Sequence, residues 1–260
     1  MATLTGKVAL ITGSSLGIGR GCALELARAG ADVVVNYRSH PDAANEVVAE
    51  IQKLGRKAVA IQADMCDAKA VENLAAQAIR QFGKVDILIN NATYVAPRMP
   101  FWELPKEEYE KVWRSYALAS FILTSAVVRD MIQHKRRGKI LLISSIHASS
   151  PYPGSAAYNS SKGAAEHLFL TMATELTPHR INVNIIQPGW TDTPGERRFA
   201  TEEYIREAGP KMPWGRLGTI EDIAKAALFL CSDDADYVSG ANLRVDGAVI
   251  LPRVTATKAL

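Results

Sequence analysis

Residues 12–19 read Thr12-Gly13-Ser14-Ser15-Leu16-Gly17-Ile18-Gly19 and stand between a short apolar run, Val8–Ile11, and an amphipathic stretch that starts at Arg20. The apolar run is typical of a buried parallel strand, and the stretch after the glycines has helical spacing. Glycines let the backbone turn sharply and approach an anion, while the first N–H groups of a helix are unpaired donors. The order of strand, glycine-rich turn and helix therefore predicts a phosphate-binding loop.

Segments of strand character and of helix character alternate from one end of the chain to the other. Short apolar runs predict parallel strands covered on both faces, at Val8–Ile11, Asp32–Tyr37, Lys57–Ile61, Val85–Ile89, Lys139–Ile143, Ile181–Ile186 and Asn242–Val245. Helical spacing predicts helices between them, at Gly17–Ala29, Asp42–Leu54, Ala68–Phe82, Lys106–Gln133, Ser155–Thr177 and Thr219–Ser232. This alternation predicts an α/β fold, a doubly wound parallel sheet of about seven strands with helices on both faces.

No linker or change of composition divides the 260 residues, so we expect a single domain over residues 1–260. The segment Pro188–Gly218 is rich in proline and glycine and lies between the sixth strand and the last helix. Ligands of open α/β sheets bind beyond the carboxyl ends of the strands, so we expect residues 188–218 to form a substrate lid. Thr219 and Asp222 are a candidate capping pair for the helix that follows.

The charge of the chain argues against a nucleic-acid partner. The formal net charge is +3, with 48% apolar and 22% charged residues, which is ordinary for a soluble globular protein. The densest basic run, His134–Lys139, is interpreted as a helix end, because cations complement the helix dipole there. In this interpretation Gly138 takes the left-handed cap position.

Features of exported and membrane proteins are also missing from the sequence. The N-terminal residues do not follow the charged-then-apolar pattern of a signal peptide. The longest apolar stretch, Tyr116–Val128, is too short to span a bilayer. Three widely spaced cysteines, Cys22, Cys66 and Cys231, predict neither a disulfide framework nor a metal site. We expect a cytoplasmic protein that binds no metal and no membrane.

Tyr158 and Lys162 are four residues apart in a predicted helix and therefore project from one face. A free phenol has a pKa near ~10, but an ammonium group about 4 Å away lowers that pKa toward neutrality. The tyrosine could then exchange a proton with a substrate hydroxyl or carbonyl. Ser145 ends the fifth predicted strand at the ligand-binding edge, where its hydroxyl could donate to the same substrate oxygen.

These motifs resemble the short-chain dehydrogenase/reductase family in its single-domain form, over Lys7–Gly247. The resemblance rests on Thr12–Gly19, Asp64, Asn90-Asn91-Ala92, Ser145, Tyr158, Lys162, Pro188-Gly189 and Asp246-Gly247, in order and at the family's spacing. Members of this family transfer a hydride between NAD(P) and an alcohol or carbonyl carbon. The resemblance implies that Ser145 orients the substrate oxygen, that Tyr158 is the acid/base and that Lys162 also binds the nicotinamide ribose.

The same resemblance implies a set of cofactor-binding residues. In this set Asp64 meets the adenine, Asn90 supports the cofactor beside the fourth strand, and Thr193 holds the carboxamide. The complete set is Gly13, Ser15, Gly17, Ile18, Gly19, Arg38, Ser39, Asp64, Asn90, Tyr158, Lys162, Pro188, Gly189, Thr191 and Thr193.

The end of the second predicted strand bears on the choice of dinucleotide. NAD-specific enzymes commonly place an acidic residue there, on the ribose 2′-OH. In this chain Asn36 brings no repulsion, while Arg38 and Ser39 could hold a 2′-phosphate. We therefore expect NADP, with NAD as the second possibility and a solvated surface role for Arg38 as the alternative interpretation.

Two stretches look most like bacterial glucose 1-dehydrogenases within the family. They are Asn36-Tyr37-Arg38-Ser39 and Ser144-Ser145-Ile146-His147, the latter followed by Pro151-Tyr152-Pro153. His147, two residues after Ser145, is a candidate substrate residue, and Trp190 is a second candidate. A packed structural histidine is an equally good interpretation of His147.

Two positions depart from the family's pattern. Thr93 stands where the family usually has a glycine, which brings a β-branched side chain close to the pocket. Tyr116 stands where active members carry an asparagine that holds a water next to the catalytic lysine, and its ring would displace that water. Ser115 could supply a hydroxyl only if the helix turned locally.

Three functions follow as alternatives. The first is an NAD(P)-dependent dehydrogenase of a small alcohol or carbonyl substrate, and the second is a 3-oxoacyl thioester reductase with a basic surface for an acyl carrier. The third is a cofactor-binding regulator with weak or no catalysis, because Tyr116 replaces the asparagine. The complete set Ser145, Tyr158 and Lys162 favours an enzyme.

Apolar residues on the two long predicted helices indicate an oligomer. Ala117 and Phe121 on one helix, and Ala165 and Phe169 on the other, suggest second apolar stripes. Family members commonly pair these helices across a two-fold axis, so the resemblance implies a homotetramer.

Overall fold

The computed structural model of this protein describes residues 3–251. Its strands are β1 (Val8–Ile11), β2 (Asp32–Tyr37), β3 (Ala58–Gln62), β4 (Ile87–Asn90), β5 (Gly138–Ile143), β6 (Ile181–Pro188) and β7 (Asn242–Val245). They form one seven-stranded sheet in the order β3-β2-β1-β4-β5-β6-β7, and all neighbouring pairs are parallel. The predicted doubly wound α/β fold is confirmed.

The helices lie on both faces of this sheet. They are α1 (Gly17–Arg28), α2 (Pro41–Lys53), α3 (Ala68–Phe82), α4 (Lys106–Trp113), α5 (Ala119–Gln133), α6 (Ala156–Glu175), α7 (Glu202–Ala208) and α8 (Ile220–Cys231). Side chains of one strand alternate between two apolar cores, with Leu10 under α3, α5 and α6, and Ala9 and Ile11 under α1, α2 and α8. Because both faces are covered, the central strands β1, β4 and β5 are largely apolar runs.

The order of the strands reverses between β1 and β4. Both strands run in the same direction, with Ala9 opposite Ile87 and Ile11 opposite Ile89. The connections leaving β1 and β4 therefore diverge at the carboxyl edge and leave a crevice between them, which is where open α/β sheets bind ligands.

The predicted helix over residues 106–133 is interrupted in the middle. A π-helical segment, Arg114–Leu118, separates α4 from α5, and the Ala119 N–H donates to the Arg114 carbonyl five residues back. By length and composition alone, the stretch 106–133 could cross a membrane, but more than half of its most apolar window is buried in the protein. Such burial is typical of the central helix of a soluble protein.

The interpretation of Gly138 as a helix cap is wrong. The left-handed residue after α5 is Lys135, with φ 50°, and Gly138 is the first residue of β5. A Cβ at Gly138 would clash with the thioether of Met131, so this glycine permits close packing of helix on strand. The basic run is thus a helix end that leads directly into a strand.

The segment 188–218 is more ordered than its composition suggests. It contains α7 and two short 3₁₀ turns, at Pro194–Arg198 and Gly209–Lys211. Thr201 is the N-cap of α7, and its hydroxyl accepts a hydrogen bond from the Tyr204 N–H. Thr219 caps the start of α8 in the same way. The predicted capping box of α8 is confirmed, with Thr219 and Asp222 bonded in both directions.

Of the four residues expected to form second apolar stripes, only Phe121 is exposed. Ala117, Ala165 and Phe169 are buried in the apolar core between the sheet and the long helices. The buried face of these helices is therefore wider than one stripe of residues. Phe121 is 47% exposed, and the exposed fractions of Leu118 and Leu170 are similar. The unpaired apolar surface of the two helices is therefore carried by Leu118, Phe121 and Leu170.

Candidate active site

The glycine-rich loop after β1 has the backbone that close approach to an anion requires. Gly13 and Gly17 adopt positive φ, at 61° and 57°. A Cβ at Gly19 would clash with the Gly13 carbonyl, so this position must be a glycine for the loop to fold against α1. Leu16, at the N-cap of α1, makes no side-chain capping bond, and the first turn holds no acidic residue. The N-terminus of α1 therefore keeps N–H donors for a phosphate, which fits a dinucleotide. Ser15 is buried in this loop, and Ile18 borders the cavity described below.

Asn36 fixes the loop rather than facing a ligand. Its side-chain carbonyl accepts from the Gly13 N–H at 3.0 Å, and its amide donates to the carbonyls of Ile61 and Ala63 at 3.2 and 3.3 Å. Because this polar side chain is buried and fully used by the protein, the residues left to meet a ribose are those that follow it.

Arg38 and Ser39 are exposed directly after β2, at the carboxyl edge of the sheet. The Ser39 hydroxyl lies 3.2 Å from His40 Nδ1. Asp64 stands after the neighbouring β3, where its Oδ1 accepts from the Cys66 N–H at 2.8 Å. Burial raises the pKa of the Cys66 thiol, and the Asp64 carboxylate raises it further. The positive charges of Lys111 and Arg38 lower it. Arg38, Ser39 and Asp64 thus gather at the end of the crevice away from β5.

The end of β4 is tied to the neighbouring elements. Asn90 is buried and donates through Nδ2 to the Thr124 hydroxyl of α5 at 3.1 Å. The Thr12 hydroxyl accepts from the N–H groups of Asn91 and Ala92 at 2.9 and 3.0 Å. These bonds hold the ends of β1 and β4 together beneath the crevice. Thr93 bonds only locally, to the Tyr94 carbonyl at 3.2 Å.

A cavity of about 380 Å³ opens at the carboxyl ends of β5 and β6 and contains the predicted reacting groups. Its walls include Ser145 and Tyr158, together with Pro188, Gly189, Thr191 and Thr193. A Cβ at Gly189 would lie 2.7 Å from the Asp246 Cα, so a glycine is needed where β6 passes the turn after β7. The cavity therefore brings together residues that are more than forty positions apart in the chain.

Ser145 and Tyr158 line the same cavity, and the Ser145 hydroxyl acts to lower the pKa of the phenol. Burial outweighs this effect and raises the pKa of Tyr158 to about 12. The expected lowering by Lys162 is not found, because the ammonium nitrogen points elsewhere, 5.3 Å from the centre of the Tyr158 ring. The phenol is therefore protonated at neutral pH in the protein without a ligand.

Lys162 is buried behind Tyr158 and is held by β5 and the π-helical segment. Its Nζ donates to the Ile143 carbonyl at 2.9 Å and lies 3.5 Å from the centre of the Tyr116 ring. Desolvation lowers its pKa well below the usual value, and the Glu166 carboxylate opposes this. The Tyr116 hydroxyl donates to the same Ile143 carbonyl at 2.8 Å. Ser115 does not replace the missing asparagine, because its hydroxyl bonds to Val112 and Tyr94 instead.

His147 forms one wall of the cavity between two tyrosines. Its ring stacks on Tyr152 with centroids 5.6 Å apart and meets the Tyr158 ring edge-on at 5.7 Å. Burial and the positive charges of Arg98 and Lys162 lower the pKa of His147 below 6.5, so it is neutral at neutral pH. Its buried Nδ1 makes no hydrogen bond within the described part of the chain. An orphaned nitrogen at this place suits a substrate hydroxyl.

The opposite wall contains residues that the sequence did not single out. The Trp190 indole donates to Glu196 Oε2 at 2.9 Å, and burial raises the pKa of this carboxyl. Arg98 lies between two rings, 5.0 Å from the centre of Tyr152 and 4.9 Å from that of Phe199. Trp190 is a predicted substrate residue, whereas Arg98, Glu196 and Phe199 belong to no motif and come together at the cavity only in the folded chain.

Metal-ligating side chains do not cluster in residues 3–251. Within that range no group of three or more His, Cys, Asp or Glu residues could hold a metal ion.

Comparison with known proteins places the chain among oxidoreductases. The profile described as enoyl-(acyl carrier protein) reductase matches residues 13–249. Glucose 1-dehydrogenase 2 of Bacillus subtilis is 34% identical over 248 residues, covering 95% of this chain and 96% of that protein. L-rhamnose 1-dehydrogenase (NADP(+)) of Thermoplasma acidophilum is 36% identical over 252 residues, covering 96% of this chain and 99% of that protein.

The fold of a solved relative agrees with the same assignment. The structure of 7α-hydroxysteroid dehydrogenase complexed with NADH and 7-oxo glycochenodeoxycholic acid superimposes with a TM-score of 0.89 at 40% identity, covering 96% of each chain. The range that the family model matches, residues 13–249, contains the glycine-rich loop, Ser145, Tyr158 and Lys162. The chain belongs to the short-chain dehydrogenase/reductase family and is an NAD(P)-dependent oxidoreductase.

Proposed function

We propose that this protein is an aldose dehydrogenase that oxidises the C1 hydroxyl of a sugar, with NADP as the preferred cofactor and NAD as the second. The observation that carries the proposal is the wall of the cavity around Ser145 and Tyr158. It combines aromatic rings, which cover the apolar faces of a sugar ring, with groups that bond hydroxyls, His147 and Glu196.

Ser145 and Tyr158 divide the work on the reacting oxygen. The Ser145 hydroxyl orients the C1 oxygen, and the Tyr158 phenolate takes the proton from that oxygen as the carbonyl forms. The bound nicotinamide supplies the redox chemistry, because it accepts the hydride from C1. In the reverse direction the Tyr158 phenol returns its proton to the carbonyl oxygen. Lys162 holds the nicotinamide ribose.

The cofactor-binding roles follow the crevice from end to end. The loop residues Gly13, Ser15, Gly17, Ile18 and Gly19 hold the pyrophosphate at the N-terminus of α1. Arg38 and Ser39 take the 2′-phosphate, because a guanidinium and a hydroxyl after β2 bind it where an acidic residue would repel it. Asp64 meets the adenine, and Asn90 supports the nicotinamide half. Pro188, Gly189, Thr191 and Thr193 surround the carboxamide.

The charge at the cavity mouth does not favour an acyl carrier protein. Arg98 is balanced by Glu196 across the cavity, and Arg197 is paired with Asp192 and Glu202. An acidic carrier would need an excess of unpaired positive charge at this place. The second candidate function is therefore a 3-oxoacyl thioester reductase, and a 3-oxoacyl thioester is one of the substrates to assay.

The remaining proposals concern the whole protein. We propose a cytoplasmic homotetramer that pairs the exposed apolar residues of α5 and α6, with one domain per chain and a lid over residues 188–218. The lid carries Glu196, Phe199 and Tyr204 over the cavity, so its closure would exclude water from the hydride transfer.

Absorbance of reduced nicotinamide tests the reaction. Purified protein with NADP or NAD is mixed with glucose, rhamnose and other aldoses, and in reverse with ketones, lactones and a 3-oxoacyl thioester. We expect oxidation of an aldose, faster with NADP. The Tyr158→Phe variant should lose turnover by about 10²–10⁴-fold and keep cofactor binding, because it loses the proton donor alone.

Two results would contradict the proposal. Turnover of the thioester but of no sugar would identify the second candidate. Equal turnover in wild type and Tyr158→Phe would remove the tyrosine from the reaction.

A further inference from the structure

The π-helical segment puts an unusual side chain behind the reacting groups. An extra residue in the turn Arg114–Leu118 carries Tyr116 toward the end of β5, where it is the largest fully buried side chain of the described residues. π-helical turns are uncommon and are often found at functional sites. A tyrosine that only filled the core would need a partner for its hydroxyl, but it would not need a cation against its ring face.

Both parts of Tyr116 have partners at Lys162. The hydroxyl and the Lys162 ammonium donate to the same Ile143 carbonyl, at 2.8 and 2.9 Å. A carbonyl oxygen has two lone pairs, so these donors fill it. The ammonium nitrogen also lies 3.5 Å from the centre of the Tyr116 ring, close to the electron-rich face.

The Tyr116 ring adds to the two other groups that stabilise the buried Lys162 ammonium, the Ile143 carbonyl and the Glu166 carboxylate. The charged or titratable groups near it are Glu166 and Tyr158 on α6, His147 after β5, and Tyr116. The Glu166 carboxylate accepts hydrogen bonds from the side-chain amides of Gln187 and Asn242. Part of its negative charge is therefore stabilised by β6 and β7 rather than by Lys162. His147 is neutral, and Tyr158 is a phenol. A buried ammonium needs such a partner, because burial without one costs several kcal/mol.

We propose that Tyr116 is a positioning residue that holds Lys162 through its ring face and through the shared Ile143 carbonyl. It does directly, with its own atoms, what the family's asparagine does through a water. The inference rests on the proposed role of Lys162 at the nicotinamide ribose. It implies that the chain keeps a competent lysine despite the missing asparagine.

A graded series of side chains at position 116 separates ring, hydroxyl and shape. Tyr116→Phe keeps the ring and loses the hydroxyl, whereas Tyr116→Met fills the space without a ring. Phenylalanine with increasing numbers of fluorine atoms weakens the electron-rich face with little change of shape, so it tests the ring even where Tyr116→Met folds poorly. Lys162→Ala sets the limit, and Tyr109→Leu on α4, whose ring faces Trp113, is the control.

The readout is the dissociation constant of NADPH by fluorescence titration, which needs no substrate. We expect about threefold weaker binding for Tyr116→Phe, which loses only the hydrogen bond of the hydroxyl, and about tenfold weaker binding for Tyr116→Met, which also loses the buried cation–π contact. Binding should weaken stepwise with fluorination, and kcat should fall in the same order. Tyr109→Leu should bind NADPH like the wild type.

Two results would overturn the inference. One is a flat fluorine series, and the other is a Tyr116→Met variant that binds NADPH like the wild type. A wild type that oxidises no sugar, with the graded series intact, would defeat the proposed substrate and leave the role of Tyr116 standing.

Discussion

At the scale of single residues, the protonation of Tyr158 separates the two directions of the reaction. Burial raises the pKa of the phenol to about 12, although the neighbouring Ser145 hydroxyl acts to lower it. The sequence placed the tyrosine and the lysine correctly side by side on one helix. It could not show that the ammonium turns away to Ile143, because that depends on the end of β5 and on the π-helical turn.

This pKa predicts opposite pH profiles for oxidation and reduction. Oxidation needs the phenolate, whose fraction rises with pH while pH is below the pKa, so kcat for oxidation should rise from neutral into alkaline solution. Reduction needs the phenol, so its kcat should be flat near neutrality and fall only at high pH. The positive charge of the oxidised nicotinamide moves the limb for oxidation below 12.

Stopped assays across neutral and alkaline buffers of constant ionic strength measure both profiles. His147 does not titrate there, because its pKa lies below 6.5. A kcat for oxidation that is independent of pH up to the alkaline end would contradict the assignment of Tyr158.

At the scale of elements, the contact between α1 and α8 depends on a missing side chain. Gly21 lies in α1, and a Cβ at this position would clash with the Cγ2 methyl of Ile220, the first residue of α8. α1 begins with the glycine-rich loop, so this contact also fixes the direction of the phosphate-binding N-terminus.

Gly21→Ala should therefore destabilise the protein although alanine is the better helix former. The clash costs about 1–3 kcal/mol, whereas the gain in helix propensity is only about 1 kcal/mol. Adding Ile220→Ala removes the methyl, so the double variant should recover stability relative to the sum of the single changes. Urea unfolding measures all four proteins of this cycle.

Simple additivity in that cycle would show that the two helices adjust without strain. A coupling of about 1 kcal/mol or more would identify the contact as the cause.

The same scale shows where sequence patterns stop being informative. Strand positions follow from continuous apolar runs, and the start of α8 follows from its capping box. The π-helical segment and α7 were not predicted. One extra residue shifts the phase of the apolar pattern by about 100°, but a single shift within one long apolar stretch is not distinguishable from the pattern of a broad buried face. The helix α7 is too short for its periodicity to stand out among prolines and glycines. The far wall of the cavity was missed for a third reason, because Arg98 and Glu196 meet only in the folded chain.

At the scale of the whole molecule, the exposed apolar residues of the long helices bear on assembly. Leu118, Phe121 and Leu170 are 40–47% exposed in the single chain, which is unusual for such side chains on neighbouring helices. Pairing these helices with a second copy would remove them from water.

The Phe121→Glu variant should lower the molar mass in light scattering from four chains to two or one, because a buried carboxylate without a partner opposes association. Leu54→Glu is the matched control, since Leu54 is 45% exposed at the end of α2. A wild type that is a monomer at all concentrations would contradict the tetramer.

The hydrogen bond between Trp190 and Glu196 has an optical consequence. It holds an indole in the wall of the cavity, whereas Trp102 and Trp214 are about 70% exposed. Indole emission overlaps the absorption of reduced nicotinamide, and resonance energy transfer falls with the sixth power of distance. The fluorescence of Trp190 should therefore decrease when the reduced cofactor binds and increase when it dissociates.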